Sequence, residues 1–372
     1  MLNLNSCIYL DNSATSRYKP RRVIRAVEKE LKRSANAGRG SHKESLRAGL
    51  KIEECRDSIR DITFSGEVVF TKSCTEALNL AIFGLYKGGE IITSVYEHNS
   101  VLRPIERLKS KGAKVSYLST KNDLITPLDL ERKITKNTSL VVLQEMSNVT
   151  GTIQDIESLG SLLESYGIPF IVDCAQSLGH VKSSYDHVTA LASPSHKGLH
   201  GMQGTGFLVF KKGVELTPLI YGGTGVDSAS LSQKISAPEG YEAGTINVPG
   251  IVALKEGIDF TYSHFNQIER KINRLSTTLL EGLKRIPSVR LYTTSPNGVI
   301  SFNLGKTPST EVADALDQKY GICVRSGIHC APLLHRKQGT LNQGAVRASI
   351  GYNNTESDID TLLEAVSTIA NI

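Results

Sequence analysis

Phe170-Ile171-Val172-Asp173-Cys174-Ala175-Gln176, followed by His196-Lys197-Gly198 and then by Gly206-Phe207-Leu208-Val209-Phe210, is the stretch on which the reading of this chain turns. Residues 170–173 form a short apolar run ending in a carboxylate, the pattern of a buried strand whose last residue reaches the ligand-bearing edge of an α/β sheet. A lysine amine can hold an aldehyde cofactor as a Schiff base, and a carboxylate one strand away can keep a pyridinium nitrogen protonated. The competing reading is a polar loop beyond a strand end, since such loops are solvated in α/β proteins generally. The pair alone does not separate the two.

Outward from this stretch, helical patterns at Arg22 to Leu31, Glu44 to Ile59 and Glu76 to Leu85 alternate with apolar runs at Val68 to Phe70, Glu90 to Thr93, Lys114 to Leu118 and Leu140 to Leu143. Strands alternating with helices predict an α/β fold with a mostly parallel sheet covered on both faces. After the turn Tyr221-Gly222-Gly223-Thr224-Gly225 the texture changes. One long helix is predicted from Ile251 to about Arg285, then strand-like runs at Val289 to Tyr292, Val299 to Phe302, Ile322 to Arg325 and Ala345 to Ser349, and a closing helix from Glu356 to Ile369. This divides the chain into a large domain over 15–250 and a smaller α+β domain built from 1–14 and 251–372.

The 372 residues, 40% of them hydrophobic, suffice for a large core, which excludes a disordered or fibrous chain. Lys and Arg number 43 against 37 Asp and Glu, and the net charge of +6 is not gathered into basic blocks, so nucleic-acid binding is not indicated. No run approaches a membrane span, and the first residues lack the basic start and apolar core of a signal peptide, so a cytoplasmic protein is expected. The six cysteines, at 7, 55, 74, 174, 323 and 330, form no CxxC pair and no zinc spacing; reduced thiols and no metal site are expected.

Thr71 to Leu85 follows a predicted strand and opens a helix with Ser73, Cys74 and Thr75. A helix N-terminus with free N–H groups receives a phosphate readily, though an ordinary capped helix has the same appearance. His98, in Tyr96-Glu97-His98-Asn99-Ser100, lies just past another strand, where an imidazole can stack on a ring and exchange protons, or be an idle loop residue.

Taken in order, Tyr9-Leu10-Asp11-Asn12-Ser13-Ala14-Thr15, Ser73-Cys74-Thr75-Glu76-Ala77, Glu97-His98-Asn99, Ser147-Asn148-Val149-Thr150-Gly151, Val172-Asp173-Cys174-Ala175-Gln176, His196-Lys197-Gly198, Glu242-Ala243-Gly244-Thr245 and Arg325-Ser326-Gly327-Ile328-His329-Cys330 resemble the class V aminotransferase-fold cysteine desulfurases over nearly the whole chain. The resemblance implies a fold type I pyridoxal 5′-phosphate enzyme with a seven-stranded sheet, working as a homodimer on L-cysteine. By that resemblance Lys197 is the Schiff-base lysine, Asp173 the partner of the pyridine nitrogen, Gln176 the donor to the ring hydroxyl and His98 the group stacked on the ring. Ser73, Cys74, Thr75 and His196 fall at the phosphate, and Thr245 matches a threonine reaching the neighbouring subunit's phosphate. Asn148 matches a polar residue near the ring hydroxyl and substrate carboxylate, and Arg347 the arginine that clamps that carboxylate, a task suited to a planar guanidinium.

Cys330 then separates a desulfurase from a plain transaminase. Its thiolate is expected to attack the substrate sulfur, leaving alanine and a persulfide, with Arg325 and His329 lowering its pKa and Gly327 giving it mobility. The other five cysteines are expected to be small buried hydrophobes. Residues Arg325 to Leu334 resemble the short-loop group to which selenocysteine lyases also belong, and a short loop favours a dedicated protein acceptor for the sulfur. Selenocysteine lyase, cysteine sulfinate desulfinase, class V aminotransferase and a degenerate cofactor-binding scaffold are the competing readings. One departure stands out: Pro194 and Ser195 occupy positions where the family usually has serine and glycine, so one phosphate hydroxyl is expected either to be lost or to be supplied by Ser193 or Ser195.

Overall fold

The computed structural model describes residues 7–37, 40–293 and 295–371. In chain order the first part comprises β1 (Ile8–Tyr9), α1 (Arg21–Leu31), α2 (Lys43–Ile62), β2 (Gly66–Thr71), α3 (Cys74–Leu85), β3 (Glu90–Ser94), α4 (Asn99–Lys109), β4 (Lys114–Leu118), α5 (Pro127–Glu131), β5 (Thr138–Gln144), α6 (Ile156–Ser165), β6 (Phe170–Asp173), β7 (Ala190–Pro194) and β8 (Gly206–Lys211). It continues with α7 (Val248–Ser263), α8 (Phe265–Lys284), β9 (Val289–Leu291), β10 (Val299–Leu304), α9 (Ser309–Tyr320), β11 (Ile322–Cys323), α10 (Pro332–Gln338), β12 (Val346–Ser349) and α11 (Glu356–Ala370).

Seven strands form the central sheet in the order β2-β8-β7-β6-β5-β3-β4, with β8 alone running against its neighbours. Alternation along each strand divides the core. Val69, Val142, Ile171 and Leu208 point to the face covered by α3 and α4, and Val68, Leu143, Val172 and Val209 to the face covered by α2, α6 and α7. The predicted mostly parallel α/β sheet is therefore present. Strand β7, Ala-Leu-Ala-Ser-Pro, lay outside the strand pattern because it has no β-branched or aromatic residue. It forms because β6 and β8 bury it completely from both sides.

The single helix expected over 251–285 is two helices. His264 ends α7: its N–H reaches the Phe260 and Thr261 carbonyls at 3.2 and 3.3 Å, and its ring stacks on Phe260 at 4.7 Å. Partners change at this break. Ile251, Leu254 and Ile258 of α7 join the core of the large sheet, although a boundary at residue 251 assigns them to the second domain. Leu275, Leu279 and Leu283 of α8 join a separate core with β10, β12 and α11. Leu10 belongs to that second core, and β1 pairs in parallel with β11. The first six residues of the expected 1–14 segment lie outside the described residues.

The strands β2, β3, β5, β6 and β7 all deliver their carboxyl ends to one edge of the sheet, where ligands bind on such folds.

Candidate active site

At that edge lies a cavity of about 130 Å³, open to solvent and lined by Ser73, Cys74, Thr75, His98, Asn148, Asp173, Gln176, His196 and Lys197 among others. Thus every residue expected to touch a cofactor borders one cavity except Thr245, which is exposed on another segment.

The floor is set by Asp173 and Lys197. Asp173 ends β6, where its Oδ1 accepts from the Ala175 N–H at 2.9 Å and lies 3.7 Å from the Cys74 thiol. Burial raises its pKa, with Lys197 among the groups opposing that rise. Burial lowers the pKa of Lys197, and Asp173 is the strongest opposing charge. Each group is thus the counter-charge of the other in a poorly solvated space. The turn carrying Lys197 is held by the amino-terminal segment: the His196 carbonyl accepts from the Ser16 N–H and Oγ, both at 3.0 Å, and from Thr15 Oγ1 at 3.3 Å.

Two helix N-termini converge at one end of the cavity. Ser73 caps α3 by accepting from the Glu76 N–H at 3.2 Å, and His98 caps α4 by accepting from the Ser100 N–H at Nδ1, 3.1 Å. Ser100 Oγ lies 2.9 Å from that nitrogen and 2.8 Å from Thr75 Oγ1, linking the two caps. With Nδ1 an acceptor, the proton of neutral His98 sits on Nε2. The ring is neutral at pH 7, because burial first and Lys197, Arg325 and Arg347 next push its pKa down to about 4. Sequence reasoning missed Ser100; the signal was its place in the first turn after an N-cap histidine. Ser193 and Ser195 stand away from the cavity lining. Ser193 Oγ donates to the Pro194 carbonyl at 3.4 Å, and Ser195 Oγ is buried where a Cβ on Gly201 would come within 2.0 Å.

The cysteine loop meets the cavity through its backbone. The Cys330 carbonyl accepts from the Asn99 N–H at 2.7 Å, and the His329 carbonyl from Asn148 Nδ2 at 2.8 Å. Both residues have left-handed backbones, with φ of 47° and 57°, costly for side-chain-bearing residues and here over-determined by those two bonds. His329 was expected to bring positive charge to the thiol. It does not: burial pushes its pKa down to about 2, and Nε2 donates to the Ala345 carbonyl at 3.0 Å. The cations facing this region are Arg325 and Arg347, which also depress Lys197 and His98.

Arg347, 3% exposed, donates from Nη1 to the Asn148 carbonyl at 3.0 Å and pairs through Nη2 with Asp11 Oδ1 at 2.8 Å. Its Nε is buried without a partner among the described residues, as are Asn148 Oδ1 and His196 Nδ1. Gln176 Nε2 donates to the Ser13 carbonyl at 3.1 Å. These three unpaired buried atoms leave hydrogen-bonding capacity that a ligand could take up. The set fits a phosphate-bearing pyridine aldehyde: an amine, a carboxylate beyond it, an imidazole, and paired helix N-termini bearing the Ser73, Thr75 and Ser100 hydroxyls.

An amine and a buried carboxylate face one cavity at the carboxyl edge of this sheet, an arrangement able to hold an aldehyde cofactor for group transfer. Residues 8–362 match the class-V aminotransferase family, and the chain belongs to that family. It is 34% identical to a probable cysteine desulfurase of Methanothermobacter thermautotrophicus over 99% of this chain and 96% of the relative. Against a probable cysteine desulfurase of Pyrococcus abyssi the identity is 38%, over 96% and 92%. Among solved structures it resembles apo cysteine desulfurase from Thermococcus onnurineus with a TM-score of 0.92 and 35% identity, covering 98% of this chain and 95% of the other.

Proposed function

We propose that the protein is a pyridoxal 5′-phosphate-dependent cysteine desulfurase, converting L-cysteine to L-alanine and holding the sulfur as a persulfide on Cys330. The observation that carries this reading is the joining of the Lys197–Asp173 cavity to the Cys330 loop by two hydrogen bonds, Asn148 Nδ2 to the His329 carbonyl and the Asn99 N–H to the Cys330 carbonyl.

Pyridoxal 5′-phosphate, when bound, supplies the electron sink that weakens bonds at the substrate Cα. Lys197 would hold its aldehyde carbon, Asp173 its ring nitrogen, Gln176 its ring hydroxyl, His98 its ring face, and Ser73, Cys74, Thr75 and His196 its phosphate. Lys197 Nζ, its pKa lowered by burial, would take the Cα proton and return it. Arg347, with Nε free, binds the substrate carboxylate, and Asn148 Oδ1 accepts from the substrate or ring beside it. The Cys330 thiolate attacks the substrate sulfur; the S–S bond forms as the C–S bond breaks, and protonation of the carbon released yields alanine.

A homodimer is supported by apolar side chains left exposed on α2, Leu46 and Leu50, and on the 219–235 segment, Tyr221, Leu231 and Ile235. Thr245, exposed in the same region, would reach the partner's phosphate. No helix among the described residues is long and apolar enough to cross a membrane; a cytoplasmic setting suits a reaction that needs reduced Cys330, and all six cysteines are free. A protein acceptor suits a loop tied down at both 329 and 330.

The test is the release of alanine and sulfide from L-cysteine by the wild type, Cys330→Ser and Lys197→Ala. Both variants should lose activity, Lys197→Ala with the visible absorbance of the bound cofactor altered and Cys330→Ser with it intact. Full desulfuration by Cys330→Ser overturns the persulfide step. Selenocysteine turnover alone in that variant favours a lyase, and transamination without sulfide an aminotransferase.

A further inference from the structure

Two cysteines that the proposed reaction does not use meet at the strand pair β1–β11. Tyr9 pairs with Cys323 and Ile8 with Ile322, fixed by Ile8 N–H to the Gly321 carbonyl and Leu10 N–H to the Cys323 carbonyl, each at 2.9 Å. Cys7, one residue before the pairing starts, leads into the strand beside Cys323, and each thiol acts on the other's ionisation. Both are only partly buried, unlike Cys55, Cys74 and Cys174.

Their surroundings differ in charge. Arg17 Nη1 lies 2.6 Å from Cys7 Sγ, and its guanidinium is steadied over the Tyr9 ring at 5.5 Å. Cys323 Sγ instead lies 4.0 Å from Asp317 Oδ1. The Arg17 hydrogen bond holds Cys7 below the usual thiol range, while burial, then Cys7 itself and Asp317, push Cys323 up to about 11. A cation-stabilised thiolate beside a protonated thiol is an attacking and resolving pair, the arrangement of reversible redox cysteines.

We propose that Cys7 and Cys323 form a redox site, separate from Cys330, which hydroperoxides oxidise to a reversible intramolecular disulfide. The Cys7 thiolate attacks the peroxide oxygen: an S–O bond forms, the O–O bond breaks, and the departing hydroxide or alkoxide takes up a proton. Cys323 then attacks the Cys7 sulfur and gives up its proton; the S–S bond forms, the S–O bond breaks and water leaves. Two thiols lose two electrons and two protons, and the hydroperoxide is reduced to water and water or alcohol. A thiol reductant reverses the bond by exchange.

The chain just after Cys7 runs into the active site: Asp11 pairs with Arg347, and Thr15 and Ser16 hold the His196 carbonyl. The disulfide therefore staples to β11 the segment that supports both Arg347 and the Lys197 turn. The proposal does not depend on desulfuration being the activity.

The experiment treats the purified full chain with equimolar hydrogen peroxide, blocks free thiols, and maps peptides without reductant. The expected product is a Cys7–Cys323 cross-linked peptide that dithiothreitol removes and that also forms in Cys330→Ser. Cys323→Ser should stop at a sulfenic acid on Cys7, trapped by dimedone. Arg17→Leu should slow Cys7 oxidation at neutral pH several-fold, because the cation within hydrogen-bond distance of the sulfur is lost. Arg17→Lys, which keeps the cation, should retain most of the rate and so separates charge from misfolding. Oxidation of Cys330 with no Cys7–Cys323 peptide, a Cys7–Cys7 link between chains, or an Arg17→Leu rate equal to wild type with intact circular dichroism would each overturn the proposal.

Discussion

Gly206→Ala tests whether the start of α3 is the anion-binding end of the cavity. Gly206 opens β8 between Thr71 of β2 and Pro194 of β7. A Cβ there would lie 2.6 Å from the Ser73 carbonyl carbon, 2.8 Å from the Cys74 nitrogen and 3.0 Å from the Ser73 oxygen. These are backbone atoms, so no side chain can swing aside; the helix start must move by about half an ångström or more, at an overpacking cost of ~1–3 kcal/mol. The same movement tilts the first N–H groups of α3 away from the cavity. Loss of one hydrogen bond to a charged group is worth about 1.5–3 kcal/mol, a fall in pyridoxal 5′-phosphate affinity of roughly 10- to 150-fold. Urea unfolding of the cofactor-free protein reads the first effect, and spectroscopic titration with pyridoxal 5′-phosphate the second. Gly49→Ala is the control: it lies inside α2 with nothing within 4 Å of its Cβ, so it should stabilise by about 0.5–1 kcal/mol and leave affinity unchanged. A Gly206→Ala protein that loses stability but binds the cofactor as tightly as wild type refutes the assignment of the phosphate to this helix.

Glu242→Gln should cost about 3 kcal/mol in urea unfolding, because it leaves buried Arg56 without the carboxylate at 2.8 and 2.9 Å that also accepts from the Phe70 N–H. Asn148→Ala removes the bond to the His329 carbonyl and should cost about 1–3 kcal/mol in stability; single-turnover persulfide formation should slow about tenfold, by one to two kcal/mol of lost positioning. His200 is buried, with Nδ1 3.0 Å from Thr261 Oγ1, and burial holds its pKa at about 3 against 6.5 in the unfolded chain. Below pH 6.5 the unfolded state takes up the proton first, so its contribution is present above that pH and lost as pH falls toward 3. Relative to His200→Gln, the wild type should lose about 3 kcal/mol between pH 7 and pH 4 in urea unfolding; a constant difference contradicts the neutral buried ring.

The parts of the site carried by strand ends were legible because apolar runs mark strands and the residue after each run falls on the ligand edge. Asp173, His98 and Ser73 come together by that rule, whereas Lys197 follows β7, which has no strand signal, and was read from the His196-Lys197 pair and the family resemblance. What escaped the pattern depended on packing. β7 lacks strand-forming residues and exists because its neighbours enclose it, and the break at His264 falls in a sequence with unbroken helical periodicity. The charge state of His329 was misjudged since proximity in sequence carries no information on burial, which decides whether an imidazole is a cation. Ser100 went unnoticed because its role comes from the meeting of two helix starts far apart in the chain. Cys7 and Cys323 were read as buried hydrophobes; a parallel strand pair spanning nearly the whole sequence puts their strands side by side, each cysteine keeping its own local charged neighbour, Arg17 or Asp317.

The central claim is that Cys330 receives the sulfur of L-cysteine at a cavity built around Lys197. Its most direct measurement is one turnover of the cofactor-loaded protein with L-cysteine and no acceptor, followed by mass analysis of cysteine peptides and quantitation of alanine. The account predicts one added sulfur atom on the Cys330 peptide in step with one alanine per site, with the other five cysteines unchanged. Alanine formed with the sulfur on another cysteine, or with Cys330 unmodified, contradicts it.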